Sequence, residues 1–165
     1  MDRSKFSTRI PTLSVQKLTK LFGDFTASDS MYDLKLVQET CRKRGVPCSF
    51  PSSNEVDVEL LDGVRLVFAN LIDENDTYLG FNDVPWHSHD NLTLMTGDAT
   101  YIDFTPSKLI DGLADGDVLI VTRYVGGQLN DRWLVHRKEK FDLQYIEPNE
   151  ELCIASFGKQ SQKIA

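Results

Sequence analysis

The sequence predicts an α+β domain: two N-terminal helices packed on a mainly antiparallel β-sheet built from hairpins, with one short crossing helix. Three observations carry this. Apolar residues recur at helical spacing up to Gly45. From Val56 onward they recur at every second residue, the period of a strand with one buried face. Short turns containing Gly or Asp separate the strand-like runs, which suits antiparallel pairing. The length of 165 residues fits one domain over 1–165, with 1–10 and 158–165 read as loose polar tails.

Each element has a local cause. Thr12 can cap a short helix carrying Leu13, Leu18, Leu21 and Phe22, which Gly23 stops. A second helix starts at Ser30 as N-cap, with Asp33 in its first turn and an apolar face of Met31, Leu34, Val37 and Cys41. Arg42, Lys43 and Arg44 suit its C-terminal dipole, and Gly45 its left-handed end. Val56, Val58 and Leu60 alternate with Glu55, Asp57 and Glu59. Beyond Asp62-Gly63, Val64, Leu66 and Phe68 alternate in turn. A three-residue loop, Leu61-Asp62-Gly63, pairs Leu60 with Val64, Val58 with Leu66 and Val56 with Phe68, so that all six apolar residues share one face; Gly63 supplies the left-handed residue. Asp57 and Glu59 then fall on the polar face.

Asp73–Asp76 reads as a loop, Thr77–Phe81 as a strand and Asn82–Asn91 as irregular. Leu92–Met95 and Ala99–Phe104 form a hairpin around Thr96-Gly97-Asp98. Thr105 caps a short helix with Pro106 in its first turn, Leu109, Ile110 and Leu113 facing the core, and Gly116 at its end. Val118–Val125 is apolar on both faces and is expected to be a central strand. The Gly126-Gly127 turn leads into Leu129–His136, and a two-residue turn would pair Ile120 with Trp133 and Val118 with Val135. Phe141–Ile146 and Leu152–Ala155 complete the expected strands.

The net charge is -7, with a pI near 4.9. That acidity excludes direct nucleic-acid binding, which needs cations to displace counterions, and docking on anionic lipid. The charge is also unevenly spread. Residues 1–53 carry nine Lys/Arg and five Asp/Glu, residues 54–117 two and fourteen, and residues 118–165 seven and six. The middle third is therefore strongly negative between mildly basic flanks. The N-terminus lacks the apolar stretch of a signal peptide, and no apolar run is long enough to span a membrane. Cys41, Cys48 and Cys153 are odd in number and lack CxxC spacing, which suits reduced thiols in the cytoplasm.

The residues that invite chemistry lie in Pro85-Trp86-His87-Ser88-His89-Asp90. Two histidines one residue apart on an extended chain point the same way and can share a metal, with Asp98 as an oxygen ligand. The pair resembles the His-x-His core of the JAMM-type zinc isopeptidases and of the cupins. Gly97 and Thr100 stand where the first family has Ser and Asp, and no Glu follows Asp90 where the second has one. No GxSxG elbow, P-loop or GxGxxG is present, and Asp73–Val84 departs from the calcium-loop pattern at Tyr78 and Val84. Asp131-Arg132-Trp133 reads as a buried polar pair beside a core tryptophan. No catalytic set and no cofactor is expected.

The sequence therefore favours a non-catalytic acidic domain that binds a basic protein. Such proteins resemble bacterial immunity proteins in size and charge, and the partner could be a toxin or nuclease. Asp73, Glu74, Asp76, Asp83 and Asp90 are the expected contacts, with Trp86 as aromatic anchor. The alternative is a metal-dependent hydrolase using His87 and His89, with Asp98 completing the site. A third reading is a homo-oligomer joined along an exposed sheet edge.

Overall fold

In the computed structural model, which describes residues 31–165, the first element is helix α1 (Leu34–Arg44). Its N-cap is Asp33, whose carboxylate accepts from the Leu36 amide at 2.9 Å. The helix thus starts later than a Ser30 cap implies. Tyr32 is the reason: its amide donates to Asn70 Oδ1 at 2.8 Å, and Asn70 Nδ2 donates back to its carbonyl at 3.0 Å. That exchange holds the backbone ahead of Asp33 outside the helix. Val37 and Cys41 are buried and Leu34 half-buried, and Gly45 ends the helix left-handed after Arg42–Arg44. The expected helix near Leu13–Phe22, Ser30 and the 1–10 tail lie outside the described residues.

The strands form three antiparallel sheets where one was expected. The first contains β1 (Cys48–Ser52), β2 (Glu55–Leu61), β3 (Val64–Leu71), β4 (Asp76–Phe81) and β5 (His87–Ser88), in that order. A separate hairpin pairs β6 (Leu92–Met95) with β7 (Tyr101–Phe104). Helix α2 (Pro106–Asp115) follows, capped by Thr105 and ended by Gly116 as its sequence requires. The third sheet contains β8 (Val118–Val125), β9 (Gln128–His136), β10 (Glu150–Ala155) and β11 (Gln162–Lys163), ordered β11-β10-β8-β9. Strand β8 is interior, as its two apolar faces demand.

The main core lies between these layers. It joins Val56, Val58, Leu66 and Phe68 of the first sheet to Val37 and Cys41 of α1, Leu109 and Ile110 of α2, and Val118 and Ile120 of β8. Helix α2 approaches β8 closely at Gly112, where a Cβ would stand 2.9 Å from Val118 Cγ2. A smaller core of Val121, Val135 and Leu152 covers the other face of the third sheet, with Trp133, Phe141 and Ile146 packed against it. The cysteines are free. Burial, then neighbouring Cys48, pushes the Cys41 thiol up to about 12.

The β2–β3 hairpin pairs Val58 with Leu66 and Val56 with Phe68 as expected, but its turn is the two-residue Asp62-Gly63, and Leu61 rather than Leu60 pairs with Val64. Its odd residue is taken up as a bulge between Glu59 and Leu61, and Gly63 is left-handed at φ 73°. The polar face differs from expectation at Asp57, which is only 4% exposed. Arg65 Nη1 donates to Asp57 Oδ2 at 2.6 Å, while Oδ1 is buried without a hydrogen-bond partner among the described residues.

In the β8–β9 hairpin the expected register is wrong by one residue. Gly126-Gly127 forms a two-residue turn between Val125 and Gln128, but a bulge follows: Tyr124 pairs with Leu129 and Arg123 with Asp131. The extra residue, Asn130, accepts from Arg123 Nη2 at 2.7 Å. Ile120 therefore pairs with Leu134 and Val118 with His136. Trp133 turns to the smaller core and Arg132 to the main-core side, where it is 5% exposed. There Nη1 donates to both carboxylate oxygens of Asp83, Nε donates to Thr122 Oγ1 at 3.2 Å, and the guanidinium lies 5.7 Å from the Phe81 ring centre.

Phe141–Ile146 is not a strand but contains a 3-10 turn over Leu143–Tyr145, capped by Asp142. Phe141 and Ile146 dock on the smaller core, while Leu143 and Tyr145 remain exposed. The 158–165 tail is not loose, because β11 pairs with β10 and Ile164 and Ala165 pack on the smaller core.

Asp83→Ala strands the Arg132 guanidinium and should cost about 3 kcal/mol. Adding Arg132→Met should recover most of that loss in urea denaturation. Glu55, on the face of Asp57, has its carboxyl raised by burial first and then by Asp57. A carboxyl raised on folding favours the fold when protonated, and that contribution is lost as pH rises through the folded-state pKa. Glu55→Gln should therefore flatten the decline in stability above the ordinary carboxyl value of 4.5.

Candidate functional site

The acidic residues singled out by the sequence separate into two groups at opposite ends of β4. Strand β3 runs into a 3-10 turn over Ile72–Glu74, and Asn75 reverses the chain in a left-handed conformation, φ 50°. Asp73 and Glu74 are exposed on this turn, beside Ile72, which is 55% exposed. Asp76 opens β4.

The segment after β4 folds back against it. Ser88 pairs with Leu79 and His87 with Gly80, which carries Asp90 to Thr77 at the start of β4. The Asp90 amide donates to Thr77 Oγ1 at 2.8 Å. Tyr32 Oη donates to the Asp90 carbonyl at 2.5 Å, and Asp90 is held left-handed at φ 55°. His89 Nδ1 lies 2.6 Å from the Thr77 carbonyl and 2.9 Å from Asp76 Oδ2. These contacts bring Asp76 and Asp90 together beside the Asp73-Glu74 turn. The electrostatics agree. Burial pushes the Tyr32 phenol up, a hydrogen bond with Thr77 opposes this, and the charges of Asp90 and Asp76 add to the rise.

Among the described residues, Asp73, Glu74 and Asp90 form no ion pair, whereas Asp76 is engaged by His89. Asp83 stands at the other end of β4, bound to buried Arg132. Trp86 is half-buried: its ring packs 5.4 Å from that of Phe81 and against the main core, so it anchors the returning segment.

The histidine pair is also placed. His87 stacks on Tyr78 with ring centres 5.6 Å apart, its Nδ1 2.8 Å from the Pro85 carbonyl. The two imidazoles meet edge to face at 5.4 Å. Asp98 lies in the β6–β7 turn, on a different sheet. Among the described residues no group of three or more His, Cys, Asp or Glu side chains is placed to hold a metal ion.

A second surface follows from the β6–β7 hairpin. Met95 and Tyr101 are paired on its outer face, both exposed, beside the Thr93–Asp103 hydrogen bond of 2.7 Å. Sequence reasoning did not single out Tyr32, Asn70 or Thr77, which organise the acidic end. Their signal is tertiary: each bonds a residue far away in the chain.

No protein-family model matches the chain, and no curated protein or solved structure matches it.

Thr77→Val keeps the shape of the side chain but removes the hydroxyl that holds Asp90. It should cost about 1 kcal/mol. Hydrogen exchange should show the Asp90 amide losing protection while the amides of β2 and β3 keep theirs.

Proposed function

We propose that this is a non-catalytic acidic protein-binding domain that neutralises a basic partner, such as a toxin or nuclease, in the cytoplasm. The observation that carries the reading is the placement of Asp73, Glu74 and Asp90 at one end of β4, where among the described residues they form no ion pair and exposed Ile72 shares the turn of Asp73 and Glu74. Charges left unpaired on a well-held turn keep their field for an incoming surface, and complementary charge speeds association. Ile72 adds apolar area that a partner can bury. Asp83 and Trp86 are not part of this surface: Asp83 is tied to Arg132 at the other end of β4, and Trp86 packs on Phe81, where it anchors the returning segment that carries Asp90. The described residues contain no helix long and apolar enough to cross a membrane.

The test is capture of a partner from the native host, followed by binding kinetics on the purified pair. Changing Asp73→Asn, Glu74→Gln and Asp90→Asn together should slow association about tenfold at low salt and leave dissociation nearly unchanged. Raising the salt should erase most of the difference between variant and parent. A partner that binds equally fast at low and high salt, and is indifferent to the triple variant, would refute the electrostatic reading.

A further inference from the structure

The two bulged hairpins border an open cleft of about 550 Å³ on a different part of the molecule from the acidic turn. Its walls include Leu61 and Val64 beside the β2–β3 turn, Thr122 and Arg132 from the third sheet, and the Gly158–Ser161 segment. That segment is fixed: the Gly158 amide donates to the Leu60 carbonyl at 3.2 Å and the Lys159 amide to that of Ser156 at 3.0 Å. Lys159 therefore lines the cleft from a held backbone.

Arg132 gives the cleft its chemistry. A guanidinium has five N–H donors. Asp83 takes those of Nη1 and Thr122 takes that of Nε. Among the described residues Nη2 has no hydrogen-bond partner, although the side chain is only 6% exposed. Nη2 is not sealed in the interior, where Asp57 Oδ1 is the buried side-chain atom without a partner among the described residues; Arg132 lines the cleft, so this donor is accessible to a molecule bound there.

We propose that the cleft binds a small molecule with one carboxylate and a short apolar body. Arg132 Nη2 and Lys159 Nζ would hold the carboxylate, with Leu61 and Val64 against the apolar part. A guanidinium edge fits a planar carboxylate. Asp83 and Asp62 also line the cleft, and two carboxylates disfavour a doubly charged phosphate more than a single negative charge. The volume lies in the range of small-molecule sites, roughly 300–1,000 Å³.

Butyrate is the probe, titrated into the full chain at constant ionic strength and followed by nitrogen–proton NMR. Saturating shifts are expected at the Arg132 side chain and the Gly158–Ser161 amides, with no such response to chloride. Lys159→Gln should weaken butyrate binding roughly tenfold, the loss expected for one charge-assisted hydrogen bond. Arg132→Lys retains a cation for Asp83 but lacks Nη2, and should abolish saturation. If that variant does not fold, Lys159→Gln alone decides. Shifts that never saturate, that chloride reproduces, or that survive Lys159→Gln unchanged would overturn the proposal. Inorganic phosphate binding as tightly as butyrate would overturn the assignment to a carboxylate.

Discussion

A buried charge sits where the first and third sheets meet. Arg132 comes from β9 and Asp83 from the segment after β4, and neither sheet alone satisfies the guanidinium. An ion pair of this kind adds little net stability over an apolar substitute, since desolvation offsets most of the attraction. Its effect is on geometry. A guanidinium fixed by Asp83, Thr122 and the face of Phe81 tolerates one relative placement of the strands that carry them. Other features depend on that placement, including the cleft beside Arg132 and the packing of Val118 and Ile120 against the first sheet.

The placement in turn depends on one inserted residue. Without Asn130 as a bulge, β9 would present Trp133 to the main core and Arg132 to the opposite face. The Gly126-Gly127 turn was legible in the sequence because both glycines suit positive φ, and both adopt it. The bulge was not, because its stabilising contact, from Arg123 to Asn130, is a side-chain bond that leaves no mark on the hydrophobic period. In the β2–β3 hairpin the apolar pattern required an odd residue and put the six apolar side chains on one buried face, but it assigned that residue to the turn, whereas it is Leu60, bulged within β2. Helix α2 was legible for a similar reason, since cap, proline, apolar face and terminal glycine all agree along ten residues.

The acidic character was legible as a quantity but not as a distribution. Fourteen acidic side chains in the middle third suggested a broad negative face. The fold gives several of them internal work. Asp57 is held by Arg65, Asp76 by His89, Asp83 by Arg132, and Asp111 and Asp115 both lie against Arg44. These pairings join residues far apart in the chain or on neighbouring strands, so segment counting could not resolve them. What is left over on the Asp73-Glu74 turn is smaller than the composition implies, and it is placed by Asn75, Thr77 and Tyr32 rather than by charge.

The same bulge also governs how the molecule meets its own copies. Strand β9 is an outer strand of its sheet, so Asn130 interrupts a row of backbone groups that would otherwise face outward. The other outer strands of the two larger sheets are short or irregular too: β1 contains Pro51 and an irregular register, while β5 and β11 are two residues each. Among the described residues, a neighbouring chain seeking to extend either large sheet meets an edge that is short or bulged, with Asp131–His136 the longest regular stretch, which limits the length over which copies can add strand to strand.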